Sequence, residues 1–138
     1  MPITDCTSDN AMNAAYCKIQ VRFMLHDDIA LGSGKVDLLA AIAQTGSIAA
    51  AGRLMGMSYR RAWLLVETMN SCFREPLVVS VKGGKQGGGA HLTAMGEQVL
   101  ELYRSMMLQI SQQTEQHQQQ LLQLLRCENE PIQPSQTT

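Results

Sequence analysis

Gly46-Ser-Ile-Ala-Ala-Ala-Gly-Arg-Leu-Met-Gly-Met-Ser-Tyr-Arg-Arg-Ala-Trp63 is the stretch whose reading decides the fold. Ser47 stands where a helix can begin, because a serine hydroxyl accepts from a first-turn N–H that has no partner inside the helix. The run from Ile48 to Met55 is short and alanine-rich and ends at Gly56. Its small residues Ala49, Ala50, Ala51 and Gly52 let a second helix approach closely. Ser58 then caps another helix, expected to run to about Asn70. Two short helices joined by a tight, glycine-containing turn form the helix-turn-helix pattern.

Upstream, Val36, Leu39, Ala40, Ile42 and Ala43 recur at helical spacing from Lys35 to Thr45, and Gly46 suits the C-cap. Lys18 to Leu25 alternates apolar with polar residues, which predicts a half-buried strand with Ile19, Val21 and Phe23 on one side. Leu31-Gly-Ser-Gly34 separates strand from helix, and the polar, unpatterned residues 1–17 are expected to be a mobile arm.

Downstream, Pro76 bars further helix and Leu77-Val-Val-Ser-Val81 reads as a strand. A glycine-rich loop from Lys82 to Gly89 leads to a returning strand at Ala90-His-Leu92, so the loop is the tip of a hairpin wing. Thr93 caps a helix beginning near Ala94. Its apolar residues Val99, Tyr103, Met106 and Ile110 step by four, three and four, a short coiled-coil seam. The seam weakens at Gln113 and His117 and returns at Leu121, Leu124 and Leu125. The expected organisation is α+β: a winged helix-turn-helix over 18–93, a dimerisation helix over 94–127 and a disordered tail over 128–138.

The 138 residues, 45% of them hydrophobic, suit one domain with an appended helix. No apolar run approaches the ~20 residues of a membrane span. Asp5 and Asp9 sit in an N-terminus without a basic start or apolar block, unlike a signal peptide. Cys6, Cys17, Cys72 and Cys127 form no C-x-x-C pair, so free thiols and a cytoplasmic location are expected. The net charge of −1 hides a division: residues 35–104 carry a net +3 between flanks of −2 each, which suits a local phosphate-binding face.

Double-stranded DNA is the partner this pattern fits. A helix enters the major groove, and residues near its N-terminus reach base edges. Ser58, Tyr59, Arg60 and Arg61 occupy that end, with Ser47 opening the preceding helix. Arginine grips guanine bidentately or pairs with phosphate, and hydroxyls bind either. Trp63, Leu64, Val66 and Met69 are expected in the core. In the wing, Lys82, Gly83, Gly84, Lys85 and Gln86 combine charge with backbone that can approach a phosphate. A P-loop is excluded, since Lys85 is followed by Gln86 instead of serine or threonine at a helix start.

Catalysis and metal binding find little support. His26, His91 and His117 fall in three different predicted elements, and Cys72 has no histidine nearby in sequence. The nine methionines read as core packing.

Ile42-Ala-Gln-Thr-Gly-Ser-Ile48, Met57-Ser-Tyr-Arg-Arg-Ala-Trp63, Met69-Asn70 and Gly83-Gly-Lys-Gln-Gly-Gly-Gly-Ala90 with Leu92-Thr93 together resemble the N-terminal DNA-binding domain of molybdate-responsive ModE-type regulators. That domain is related to the winged helix-turn-helix of LysR-type regulators. The resemblance covers residues 18–125. It implies that Ser58 to Arg61 open the recognition helix, that Lys82 and Lys85 lie in the wing, and that the helix from Thr93 pairs two subunits. Val99, Tyr103, Met106, Ile110, Leu121 and Leu124 are then the dimerisation residues. The regulated genes would concern molybdenum or related oxyanions. Full-length members continue into Mop-type oxyanion sensors, for which 138 residues leave no room, so no cofactor and no molybdate binding are expected. Two other readings stay open: an interaction module that heterodimerises with a longer regulator, and an oxyanion carrier using the glycine-rich loop.

Overall fold

The computed structural model describes residues 15–81 and 89–126. In chain order these form β1 (Phe23–Leu25), β2 (Asp28–Leu31), α1 (Ser33–Thr45), α2 (Ile48–Leu54), α3 (Tyr59–Cys72), β3 (Val78–Val81), β4 (Gly89–Leu92), α4 (Ala94–Gln113) and α5 (Glu115–Leu124). Two compact units result: residues 20–108 form one, and the described residues of 15–19 and 109–126 belong to the other.

The first unit is a winged helix-turn-helix. Gly46 adopts a left-handed φ of 74° at the end of α1, where its N–H donates to the Ile42 carbonyl at 2.7 Å. Gly56, with φ 72°, turns the chain between α2 and α3. α2 and α3 touch at Gly52, where an added Cβ would lie 3.3 Å from both the Ala62 Cβ and the Met57 carbonyl oxygen. The core is centred on α1, whose Leu38, Leu39 and Ile42 are fully buried, together with Met69 of α3 and Leu77. Each such side chain contributes about 1.5–3 kcal/mol on leaving water.

Two antiparallel hairpins flank the helices. In the wing, Val78 pairs with Leu92 and Val81 with Gly89, in regular register. The other hairpin departs from the expected strand over Lys18–Leu25. Its ladder begins only at Phe23, and β1 pairs with β2 through a tight turn at His26-Asp27, where His26 has φ 55°. Alternation marks a chain that can be extended, but a strand needs a partner for its backbone groups, and β2 meets only the last three residues.

On α3 the inward stripe is Ala62, Val66 and Met69. Trp63 and Leu64, expected in the core, are instead 42% and 47% exposed. At roughly 100° per residue they lie one and two steps around the helix from Ala62, away from the core.

The helix expected over 94–127 is interrupted at Thr114, whose hydroxyl donates to the Ile110 carbonyl at 2.7 Å. The Val99–Tyr103–Met106 seam also makes contacts within its own unit. Tyr103 is buried, Val99 and Met106 pack against the unit's own core, and the Tyr103 hydroxyl donates to the Val21 carbonyl at 2.7 Å. Its ring meets Phe23 edge-on, with centroids 6.4 Å apart. Tyr103 is thus covered within its own unit, while Val99 and Met106 stay half-exposed and line an apolar cleft beside β1. Exposed on the same helix are Leu102 and Leu108, and on α5 Leu121 and Leu124.

Candidate nucleic-acid interface

The interface is built on α3. Ser58 is extended, and its hydroxyl accepts from the Arg61 N–H at 3.1 Å. Ser47 does the same for α2, accepting from Ala50 at 3.1 Å. Both hydroxyls therefore cap helices, and the side chains presented outward at the start of α3 are Tyr59, Arg60 and Arg61, all exposed. The N-terminal end of a helix carries partial positive charge, which adds to the two guanidinium groups.

Lys35, which sequence reasoning did not single out, belongs to the same electrostatic neighbourhood. Partial burial lowers its pKa below the usual lysine value; Cys72 acts in the opposite direction, and Arg61 pushes it down further. Asp28 also raises it and Arg22 lowers it. One flank of α3 thus holds Lys35 and Arg61 in each other's field. Only the tertiary fold brings the start of α1 to that flank.

Among the described residues, one side chain ties the wing strands to α3. The Asn70 amide donates to the Val78 carbonyl at 3.0 Å, and its oxygen accepts from the Leu77 and Val78 N–H groups at 2.8 and 3.2 Å. A second anchor runs from Ala90, whose N–H donates to the Gly46 carbonyl at 2.9 Å. Gly89 is needed beside it, because a Cβ there would stand 3.1 Å from the same oxygen. The base of the wing is closed by Thr93. Its hydroxyl accepts from the Gly96 N–H at 3.0 Å and donates to the Pro76 carbonyl at 2.7 Å. The tip residues Lys82, Gly83, Gly84, Lys85 and Gln86 lie outside the described residues.

Among the described residues, no three His, Cys, Asp or Glu side chains gather as a metal site. No described helix is long and apolar enough to cross a membrane. An open apolar cleft of about 360 Å³ lies between β1, β2, the end of α3 and α4, lined by residues including Met24, Phe73 and Leu102.

No family model matches the chain. Among curated proteins it is 49% identical over 73 residues to the molybdenum-pterin-binding protein MopB of Rhodobacter capsulatus, covering 53% of this chain and 27% of that one. It is 42% identical over 87 residues to the molybdenum transport protein ModE of Azotobacter vinelandii, covering 62% and 32%. Over 78 residues it is 40% identical to the DNA-binding transcriptional dual regulator ModE of Escherichia coli, covering 56% and 29%. The matches thus span less than a third of each of these relatives. Among solved structures, a LysR family transcriptional regulator and full-length LysG of Corynebacterium glutamicum each superpose with a TM-score of 0.47. They are 12% and 22% identical, cover 60% and 63% of this chain, and match over 27% and 28% of their own. Over about half of its length the chain is thus similar in sequence to MopB and ModE proteins, and those residues fold here as a winged helix-turn-helix.

Proposed function

We propose that this chain is a sequence-specific DNA-binding regulator of molybdenum-related genes, working as a homodimer. The observation that carries the DNA-binding reading is the exposed Tyr59-Arg60-Arg61 opening of α3 on the second helix of a helix-turn-helix. Placed in the major groove, α3 brings Arg60 and Arg61 to base edges and phosphates. Because Asn70 and Gly46 tie the wing strands to α3 and α1, seating α3 also sets where the wing meets the duplex. The molybdenum link rests on the names of the similar proteins MopB and ModE.

The dimer reading rests on Val99, Met106, Ile110, Leu121 and Leu124, none of them fully buried within the chain. Tyr103 is the one of the six expected dimerisation residues that is buried in the core of its own unit. A two-fold assembly sets two recognition helices on a two-fold-related operator.

Fluorescence anisotropy with the DNA upstream of the chain's own gene and a scrambled duplex, across a salt series, tests this. Tighter binding to the native duplex, with both affinities falling as salt rises, is expected. Equal and weak binding to both would overturn the reading in favour of an interaction module. Sedimentation analysis at micromolar concentration tests the dimer, and a monomer throughout would remove it.

A further inference from the structure

Resting on the DNA-binding reading above, we propose that Leu64 is a base-reading residue that packs against a thymine methyl group in the major groove. Arg60, Leu64 and Glu67 are all exposed and lie on the face of α3 opposite Ala62, Val66 and Met69. Leu64 is thus an apolar side chain, 47% exposed, in the middle of a face framed by a cation and a carboxylate. Its own fold leaves about half of it in water, and the gain from covering that half is available to whatever docks on α3.

The major groove offers one apolar group among its donors and acceptors, the C5-methyl of thymine. The spacing also fits. Four residues of helix rise about 6 Å, and base pairs are ~3.4 Å apart along a strand, so Leu64 falls about two base pairs from the guanine that Arg60 would hold. Glu67, one turn further on, accepts from a cytosine amino group and repels phosphate. A helix face of this kind gains little from lying along the backbone alone, and favours a register in which each of the three side chains meets a base edge.

The test uses the full chain. A duplex is first selected from a random pool by the wild-type protein, and each thymine of the selected site is then replaced by deoxyuridine, which lacks only the methyl. One thymine per half-site is expected to be sensitive, its replacement weakening wild-type binding about fourfold. The Leu64→Ala variant should bind the thymine duplex correspondingly weakly and lose no more with deoxyuridine. Leu64→Met, which keeps an apolar side chain, should retain the discrimination. Insensitivity to every deoxyuridine, or the same loss in Leu64→Ala as in wild type, would overturn the Leu64 assignment and leave the DNA-binding reading standing. Failure to enrich any sequence would overturn both.

Discussion

Asn70 holds both backbone groups of Val78, donating to its carbonyl at 3.0 Å and accepting from its N–H at 3.2 Å, while also accepting from the Leu77 N–H at 2.8 Å. One amide thereby closes the backbone between the end of α3 and the first wing strand. Only a side chain carrying both a donor and an acceptor can do this. Asn70→Ala would strand two N–H groups and a carbonyl in a partly buried site, and is expected to cost about 2–3 kcal/mol. Asn70→Asp keeps the acceptor and loses the donor, so it should fall between the two. Denaturant unfolding of the three proteins would check the order.

Gly96 and Gly34 make opposite predictions for the same substitution. A Cβ at Gly96 would collide with the Leu77 carbonyl oxygen, against which the first turn of α4 is docked. Gly96→Ala is therefore expected to destabilise by about 1–3 kcal/mol, the usual range for overpacking. Nothing lies within 4 Å of a Cβ at Gly34, which is exposed in the first turn of α1. Gly34→Ala should stabilise by about 0.5 kcal/mol by restricting the unfolded chain. Thermal melts of both variants would expose an error in either placement.

Arg60→Ala with Arg61→Ala should weaken specific DNA binding more than about tenfold, since a good arginine–base pair discriminates by ~1–3 kcal/mol. The salt dependence should become shallower, because fewer phosphate charges are neutralised. Circular dichroism and the melting temperature should stay close to wild type, as both side chains are exposed. Unchanged affinity would remove α3 as the recognition helix.

Tyr103→Phe isolates the hydroxyl that donates to Val21. Loss of this bond is expected to lower stability by about 1 kcal/mol. The dimer dissociation constant should not move, because the ring faces Phe23 and the core of its own unit. A large change in self-association with little change in stability would return Tyr103 to a subunit interface.

Lys35 makes a prediction about pH. Burial lowers its pKa in the folded state below the ordinary value of 10.5. In the window between the folded value and 10.5, the unfolded chain binds more protons than the native one, so this residue's contribution to stability rises with pH there. Below the folded value both states are protonated, and the cost of holding the ammonium partly buried is fully present. The stability of wild type relative to Lys35→Met should therefore increase as pH approaches 10.5. Urea titrations of both proteins at several alkaline pH values would show the sign, and a decrease would contradict it.

The caps and turns were legible from the sequence because their causes lie within a few residues. Ser47, Ser58 and Thr93 each accept from an N–H three residues on, and Gly46 and Gly56 take the left-handed φ that glycine tolerates. With the strand signals at Val78–Val81 and Gly89–Leu92, this local chemistry is enough to specify a winged helix-turn-helix. The tertiary structure alone decided which way each helix faces. An apolar stripe announces that some face is covered, yet the stripe of α4 reads equally as a subunit seam or as a cover for its own core. Leu100 and Tyr103 are buried in the core of their own unit, whereas Val99 and Met106 stay half-exposed. Trp63 and Leu64 turn outward because Ala62, Val66 and Met69 occupy the face that packing onto α1 and α2 buries, and Lys35 joins the α3 field through the same packing. Facing, and the company a charge keeps, depend on contacts between residues distant in the chain, whereas a cap depends only on its own turn.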